Sequence, residues 1–318
     1  MHSIRKWISG WTIPLLFLAA ACRTGLSPQE EEDAQYITEN AARLFQEGKG
    51  TLYEYASNAI CMNETSMRVL RGQQTGDRTA AVRRLAVCMA KIRQGMEWNV
   101  KLPELEIPCL KHLPVPDGSI STRELEECLV LRGEHPLGKT EKDPRYPDSL
   151  WLIGWKDDML YLAVSFRDEQ PEFYHGKNDC TDGKYLYLGD CLEFFIRPQL
   201  HKLQYFELLM NPAGNVWMLS HVPGYWGGFT PVDRDCPASG AVVKGAIHNG
   251  FYTIEAILPF RIWHGEWCSR EPRPGDAFSF MMLRANRSGT THTFSTPLPF
   301  LYNGHNLYGY IRATLGAP

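Results

Sequence analysis

An antiparallel β-sandwich preceded by a small α-helical region is the fold class this sequence predicts, and three observations predict it. Short apolar runs recur after about residue 100, separated by turn signals such as "NPAGN", "HNG" and "RPGD". One stretch, "LWLIGWKDDMLYLAVSF", is two such runs joined by Lys156-Asp157-Asp158, the signature of a hairpin. Helical periodicity, by contrast, is confined to residues 27 to about 98.

The chain divides into three segments: a targeting segment over 1–22, a helical region over 23–100 and the sandwich over 101–318. In the first, Arg5 and Lys6 precede a mostly apolar run that closes on "LAAAC". Positive charge, a short apolar core and small residues read as a secretory signal, too short for a membrane span. Two processing routes stay open: lipoprotein cleavage, which makes Cys22 the lipidated N-terminus, or ordinary cleavage after Ala21. The first places the protein at a bacterial cell envelope, periplasmic or surface-exposed, held to the membrane by its N-terminus.

Ser27-Pro28-Gln29-Glu30 opens the helical region: Ser caps, Pro suits the first helical position, and Glu caps reciprocally. A second long helix is expected from about Asp77 to Gln94, with Val82, Leu85, Met89 and Ile92 on its apolar stripe and Arg83 and Arg84 on a solvated face. Residues 51 to 73 supply one or two shorter helices. The proline-rich "KLPELEIPCLKHLPVPDG" marks the change to β-structure. Strands are expected at 191–197, 204–210, 215–220, 242–247, 251–258, 278–284 and 308–313.

Composition narrows the function. The net charge of −3 gives no basic footprint for nucleic acid. Nine cysteines are present; without Cys22 an even eight remain, which in an exported chain suggests disulfides, with Cys61 and Cys88 able to staple the helices. No CxxC pair suggests zinc. Asp157, Asp158 and Asp182 are turn acids that a structural calcium could use; otherwise neither metal nor cofactor is expected. No nucleophile elbow, HExxH or phosphate loop occurs.

Strand parity exposes an anomaly. In "CLEFFIRP", Leu192, Phe194 and Ile196 form an apolar face, while Glu193 and Arg197 flank Phe195 on the other. In "QYFELLMN", Phe206, Leu208 and Met210 oppose Tyr205, Glu207, Leu209 and Asn211. Side by side, the two strands present Glu193, Arg197, Tyr205, Glu207 and Asn211 together. A ligand face and a water-exposed outer sheet face read alike at this point. Glu193 is alternatively one half of a structural ion pair with Arg197 or Arg284.

From about Leu105 to Leu315 the chain resembles the family 9 carbohydrate-binding modules and their DOMON-like relatives. "PVPDGSISTRELEEC", "WKDDMLYLAVSF", "GDCLEFFIRP", "FELLMNPAGNVW", "GFYTIEAILPF", "PGDAFSFMMLRAN" and "YNGHNLYGYIRATL" follow the order of that family's motifs. The resemblance implies a sandwich that binds a saccharide without catalysis. Members clamp the sugar between two tryptophans; the matching positions hold Tyr187 and Tyr302, and the hydrogen-bonding acid of the family falls on Glu193. Sugar C–H faces stack on rings, and hydroxyls need charged or amide partners. Arg197, Glu207, Asn211, Arg284 and Trp226, which lies in the Gly-rich "GYWGG", complete the expected ligand-binding set. Two rivals remain: an interaction or assembly module that has lost sugar binding, and a glycoside hydrolase using Glu193 and Glu207 as paired carboxylates.

Overall fold

The computed structural model describes residues 25–47, 64–97, 102–173, 186–200, 204–221, 240–263, 270–300 and 307–318. It separates into two compact units, Met1–Glu97 and Trp98–Pro318.

The first unit is helical: α1 (Pro28–Glu47), α2 (Glu64–Leu70) and α3 (Arg78–Glu97). The start of α1 is capped as its sequence dictates. The Ser27 amide donates to the Glu30 carboxylate at 2.7 Å, and the Glu30 amide donates to the Ser27 hydroxyl at 3.2 Å. Val82 and Leu85 of α3 bury fully, alongside Ile37 of α1 and Met67 of α2. Arg83 and Arg84 stay exposed.

The second unit is the expected sandwich. One sheet runs β2 (Leu129–Arg132), β4 (Leu150–Lys156), β5 (Met159–Arg167), β10 (Phe251–Pro259), β9 (Val242–His248). The other has eight strands. Its main path is β1 (Leu105–Ile107), β13 (Ile311–Leu315), β11 (Ala277–Ser288), β6 (Cys191–Arg197), β7 (Tyr205–Met210), β8 (Val216–His221). Off that path, β12 (Thr291–Thr296) pairs with β11 and with β3 (His135–Pro136). A short helix, α4 (Thr122–Glu127), follows the Asp117-Gly118 turn.

The β4–β5 hairpin turns at Asp157 and Asp158, pairing Lys156 with Met159. Asp157 takes a φ of 54°, a left-handed conformation that a short polar side chain tolerates. The sandwich core joins both sheets: Leu192, Phe194 and Ile196 of β6 pack in one cluster with Val164, Phe166 and Ile254 of the facing sheet. Full burial of each such side chain stabilises by about 1.5–3 kcal/mol.

Three buried acids lock the unit. Glu255 of β10 accepts the Tyr161 hydroxyl at 2.7 Å and the amides of Asp117, Gly118 and Ser119 at 2.6 to 3.0 Å. Gly118 is required there: its φ is +93°, and a Cβ would lie 2.8 Å from that of Ala246. Glu134 takes Arg284 at 2.8 Å and the hydroxyls of Ser149 and Ser295. Asp190 accepts the amides of Glu172 and Arg287, tying the entry of β6 to two other segments.

The disulfide expectation is corrected at three positions. Cys109, Cys128 and Cys191 are free thiols. Cys109 leans on the inter-sheet core, Cys128 sits on the outer face of the five-stranded sheet, and Cys191 on the outer face of the other. Sheets thus separate side chains that an even count invites to pair. Cys22, Cys61, Cys180, Cys236 and Cys268 lie outside the described residues.

Candidate functional site

The outer face of the eight-stranded sheet is built by β11, β6 and β7. Antiparallel register sets Glu193 opposite Leu209 and Leu283, and Phe195 opposite Glu207 and Met281. Glu193 and Glu207 are therefore diagonal neighbours on one face. The parity reading of the two strands holds, and it brings Glu193, Arg197, Tyr205 and Glu207 together.

This face is not open to water. Phe300, Leu307 and Tyr310 lie over it in one cluster with Leu186, Phe195, Leu209 and Met281. Tyr310 is the hub, edge-on to Tyr205 at 6.2 Å between ring centroids and tilted toward Phe195 at 6.3 Å and Phe300 at 6.4 Å. Every residue of β6 is buried. An outer layer of rings thus covers a floor that carries three charged side chains.

Burial decides the electrostatics. Glu193 is 9% exposed, Glu207 7% and Arg197 5%. Desolvation, with the Glu207 carboxyl second, pushes the Glu193 pKa up to about 8. No hydrogen bond or ion pair from the other described residues reaches the Glu193 carboxyl. Arg197 donates to the Leu200 carbonyl, beyond the end of its own strand. The same burial raises the Cys191 thiol and the Tyr310 hydroxyl.

Other expected residues are placed differently. Arg284 is not part of this face. It points between the sheets, where it is fully buried, pairs with Glu134 and Asp168, and lies 4.9 Å from the Phe166 ring and 5.5 Å from that of Tyr252. The Glu193–Arg284 ion pair is therefore excluded: the two side chains leave the sheet on opposite sides. Asn211 is fully buried, and its side-chain oxygen accepts the amides of Ala213 and Asn215, both at 3.1 Å, closing the β7–β8 turn. That oxygen belongs to the turn rather than to a ligand. Asp158 accepts Arg261 at 3.2 Å, and no cluster of metal-ligating side chains occurs among the described residues.

Tyr187 stands in the turn that leads into β6. It is 45% exposed, while its neighbour Leu186 packs into the ring layer. A ring so held offers a face to a partner from solution. Tyr302, Trp226 and Asp182 lie outside the described residues. Sequence reasoning missed the ring layer, Tyr310 above all, and Glu134. "YGYIRATL" shows a strand-like alternation that could have flagged Tyr310; nothing in "GEHP" marks Glu134 as the partner of Arg284.

No protein-family profile matches the chain, and no curated protein does. Solved structures do. A protein of Bacteroides uniformis ATCC 8492 to which carbohydrate binding is ascribed aligns with 67% of this chain and 98% of its own, at 10% identity and a TM-score of 0.51. Two family 9 carbohydrate-binding modules from Caldicellulosiruptor kristjanssonii, one in complex with cellotriose and one with glucose, each align with 67% of this chain. They cover 94% and 97% of their own chains, at 14% and 13% identity and TM-scores of 0.45 and 0.43. Family 9 modules, the group the sequence resembles, are thus among the matching structures, and the likeness is one of fold.

Proposed function

We propose that this protein binds a saccharide without catalysing its breakdown, at the outer face of the eight-stranded sheet. One observation carries the reading: Glu193 is a carboxyl nine-tenths buried beneath aromatic rings, with no hydrogen bond from the other described residues. A buried polar group normally has its partner, and leaving a carboxyl without one is costly. Strongly perturbed acids at such places are candidates for function. A ligand hydroxyl would satisfy Glu193, and an exposed ring such as Tyr187 suits the apolar face of a pyranose. The family 9 resemblance supports the same chemistry.

Export and anchoring belong to the same proposal. Cleavage before Cys22 would leave a lipidated protein at the cell envelope, displaying the sandwich to soluble or wall-bound glycans. A glycan array probed with the purified protein tests the binding, with release of reducing ends as the assay for hydrolysis. Retained glycans without cleavage support the reading; cleavage at a rate lost in Glu193→Gln would replace it with a glycoside hydrolase.

A further inference from the structure

Two carboxyls, buried on one face at diagonal positions of adjacent strands, are more than ligand anchors. We propose that Glu193 and Glu207 share a single proton and thereby restrict the site to uncharged saccharides. The inference rests on the saccharide reading and names the class of sugar.

The geometry leads there. Glu193 and Glu207 project from β6 and β7 under the same layer of rings, each less than a tenth exposed. Two like charges in a desolvated space cannot both ionise cheaply, and the pair resolves this by keeping one proton. The neighbouring groups offer limited relief. On β6 these are Arg197 and the neutral thiol of Cys191; on β7, the Tyr205 hydroxyl; above, the Tyr310 hydroxyl. On this face β11 supplies Ser279, Met281 and Leu283, none ionisable. Asp190, just before β6, is bound by two backbone amides. Arg197 is thus the cation of the cluster, and with one shared proton the three charged side chains sum to zero. The upward shift at Glu193 agrees with this arrangement.

A neutral cluster with one acid O–H and one carboxylate is a matched partner for hydroxyls, which both donate and accept. A uronate or sulfate would instead bring a second negative charge against the carboxylate, with Arg197 already balanced. Like-charge juxtaposition of this kind discriminates by at least about 100-fold. Selection by repulsion is a recognised route to specificity.

Two measurements on the full chain test the proposal together. The first follows ¹³C-labelled Glu carboxyl shifts with pH, assigned through Glu193→Gln and Glu207→Gln. One carboxyl of the pair is expected to keep its proton to near pH 8, and either substitution should return the survivor towards the ordinary carboxylate range. Both carboxyls ionising near that range in the wild type overturns the pair, whatever binds. So does an unfolded Glu193→Gln, because Gln mimics the protonated acid and should be accommodated. The second is a glycan array carrying uncharged oligosaccharides and their uronate and sulfate counterparts. Retention of uncharged glycans alone, with the exclusion of uronates relaxed by 10-fold or more in Glu207→Gln, supports the selectivity. Preference for uronates or sulfates overturns it. A titration as predicted with no glycan retained overturns the saccharide reading and leaves the proton pair standing.

Discussion

Arg284 donates to Glu134 at 2.8 Å, and both side chains are essentially inaccessible to water. Ser149 and Ser295 add hydrogen bonds to the same carboxylate, and Asp168 approaches Arg284 at 3.3 Å. The guanidinium also lies 5.0 Å from the centre of the Tyr146 ring. A charged network between two sheets fixes how they meet.

Removing one partner of that pair should be costly. Arg284→Met strands the Glu134 charge in the interior, and about 3–5 kcal/mol of stability should be lost. In a sandwich of this size each kcal/mol lowers Tm by about 2–4 °C. Thermal unfolding of Arg284→Met and of Arg284→Met/Glu134→Gln checks this. The double variant should recover much of the loss; equal Tm values for wild type and single variant would show the network to be energetically idle.

Thiol chemistry should follow the sheets. Cys128 has its pKa pushed up to about 12 by burial, with Glu124 and Glu127 adding to it. A thiol that stays protonated and buried is inert. Iodoacetamide at pH 8 should leave Cys128 and Cys191 unmodified in the folded protein. After denaturation without reductant, both should label, together with Cys109. Peptide mapping that finds any of the three in a disulfide would contradict the structure.

Stability should fall as pH rises through the titration of Glu193. Its folded pKa, about 8, lies above the ordinary 4.5, so between those values the folded chain retains a proton the unfolded chain has released. The slope approaches ~1.4 kcal/mol per pH unit. Asp190, raised to about 6 chiefly by burial, adds to the decline between about pH 4 and 6. Denaturant melts from pH 5 to 9 should show the decline in the wild type and a flatter profile in Glu193→Gln. Identical profiles would mean that Glu193 titrates normally.

Asn211→Ala should act on the fold and not on a ligand. It leaves the Ala213 and Asn215 amides without their acceptor, at a cost of about 1–3 kcal/mol. Chemical denaturation and ligand titration of the same variant separate the two roles. A loss of affinity with unchanged stability would restore Asn211 to the binding set.

What could be read in advance had a local cause. The Ser27–Glu30 cap, the Asp157-Asp158 hairpin and the outward parity of Glu193 and Glu207 each depend on a few consecutive residues, and periodicity of 2 or 3.6 fixes the rest. What could not be read depends on partners far along the chain. Glu134 meets Arg284 across 150 positions of sequence, and Tyr310 covers Phe195 only once β13 pairs with β11. Strand β12, the short β1 to β3 and the bound state of Asn211 likewise follow from tertiary contacts. The even cysteine count misled because pairing needs side chains on one side of a sheet.

The central claim is that Glu193 meets a saccharide on the outer face of the eight-stranded sheet. Titration calorimetry of the strongest array ligand against wild type, Tyr187→Ala and Glu193→Ala, with circular dichroism confirming the fold, tests it most directly. Tyr187→Ala should cost about 1–3 kcal/mol of binding, the range of a ring anchor. Glu193→Ala, which deletes the buried hydrogen-bonding group, should weaken binding by roughly 10-fold or more. Wild-type affinity in a folded Glu193→Ala would place the ligand elsewhere and contradict the claim.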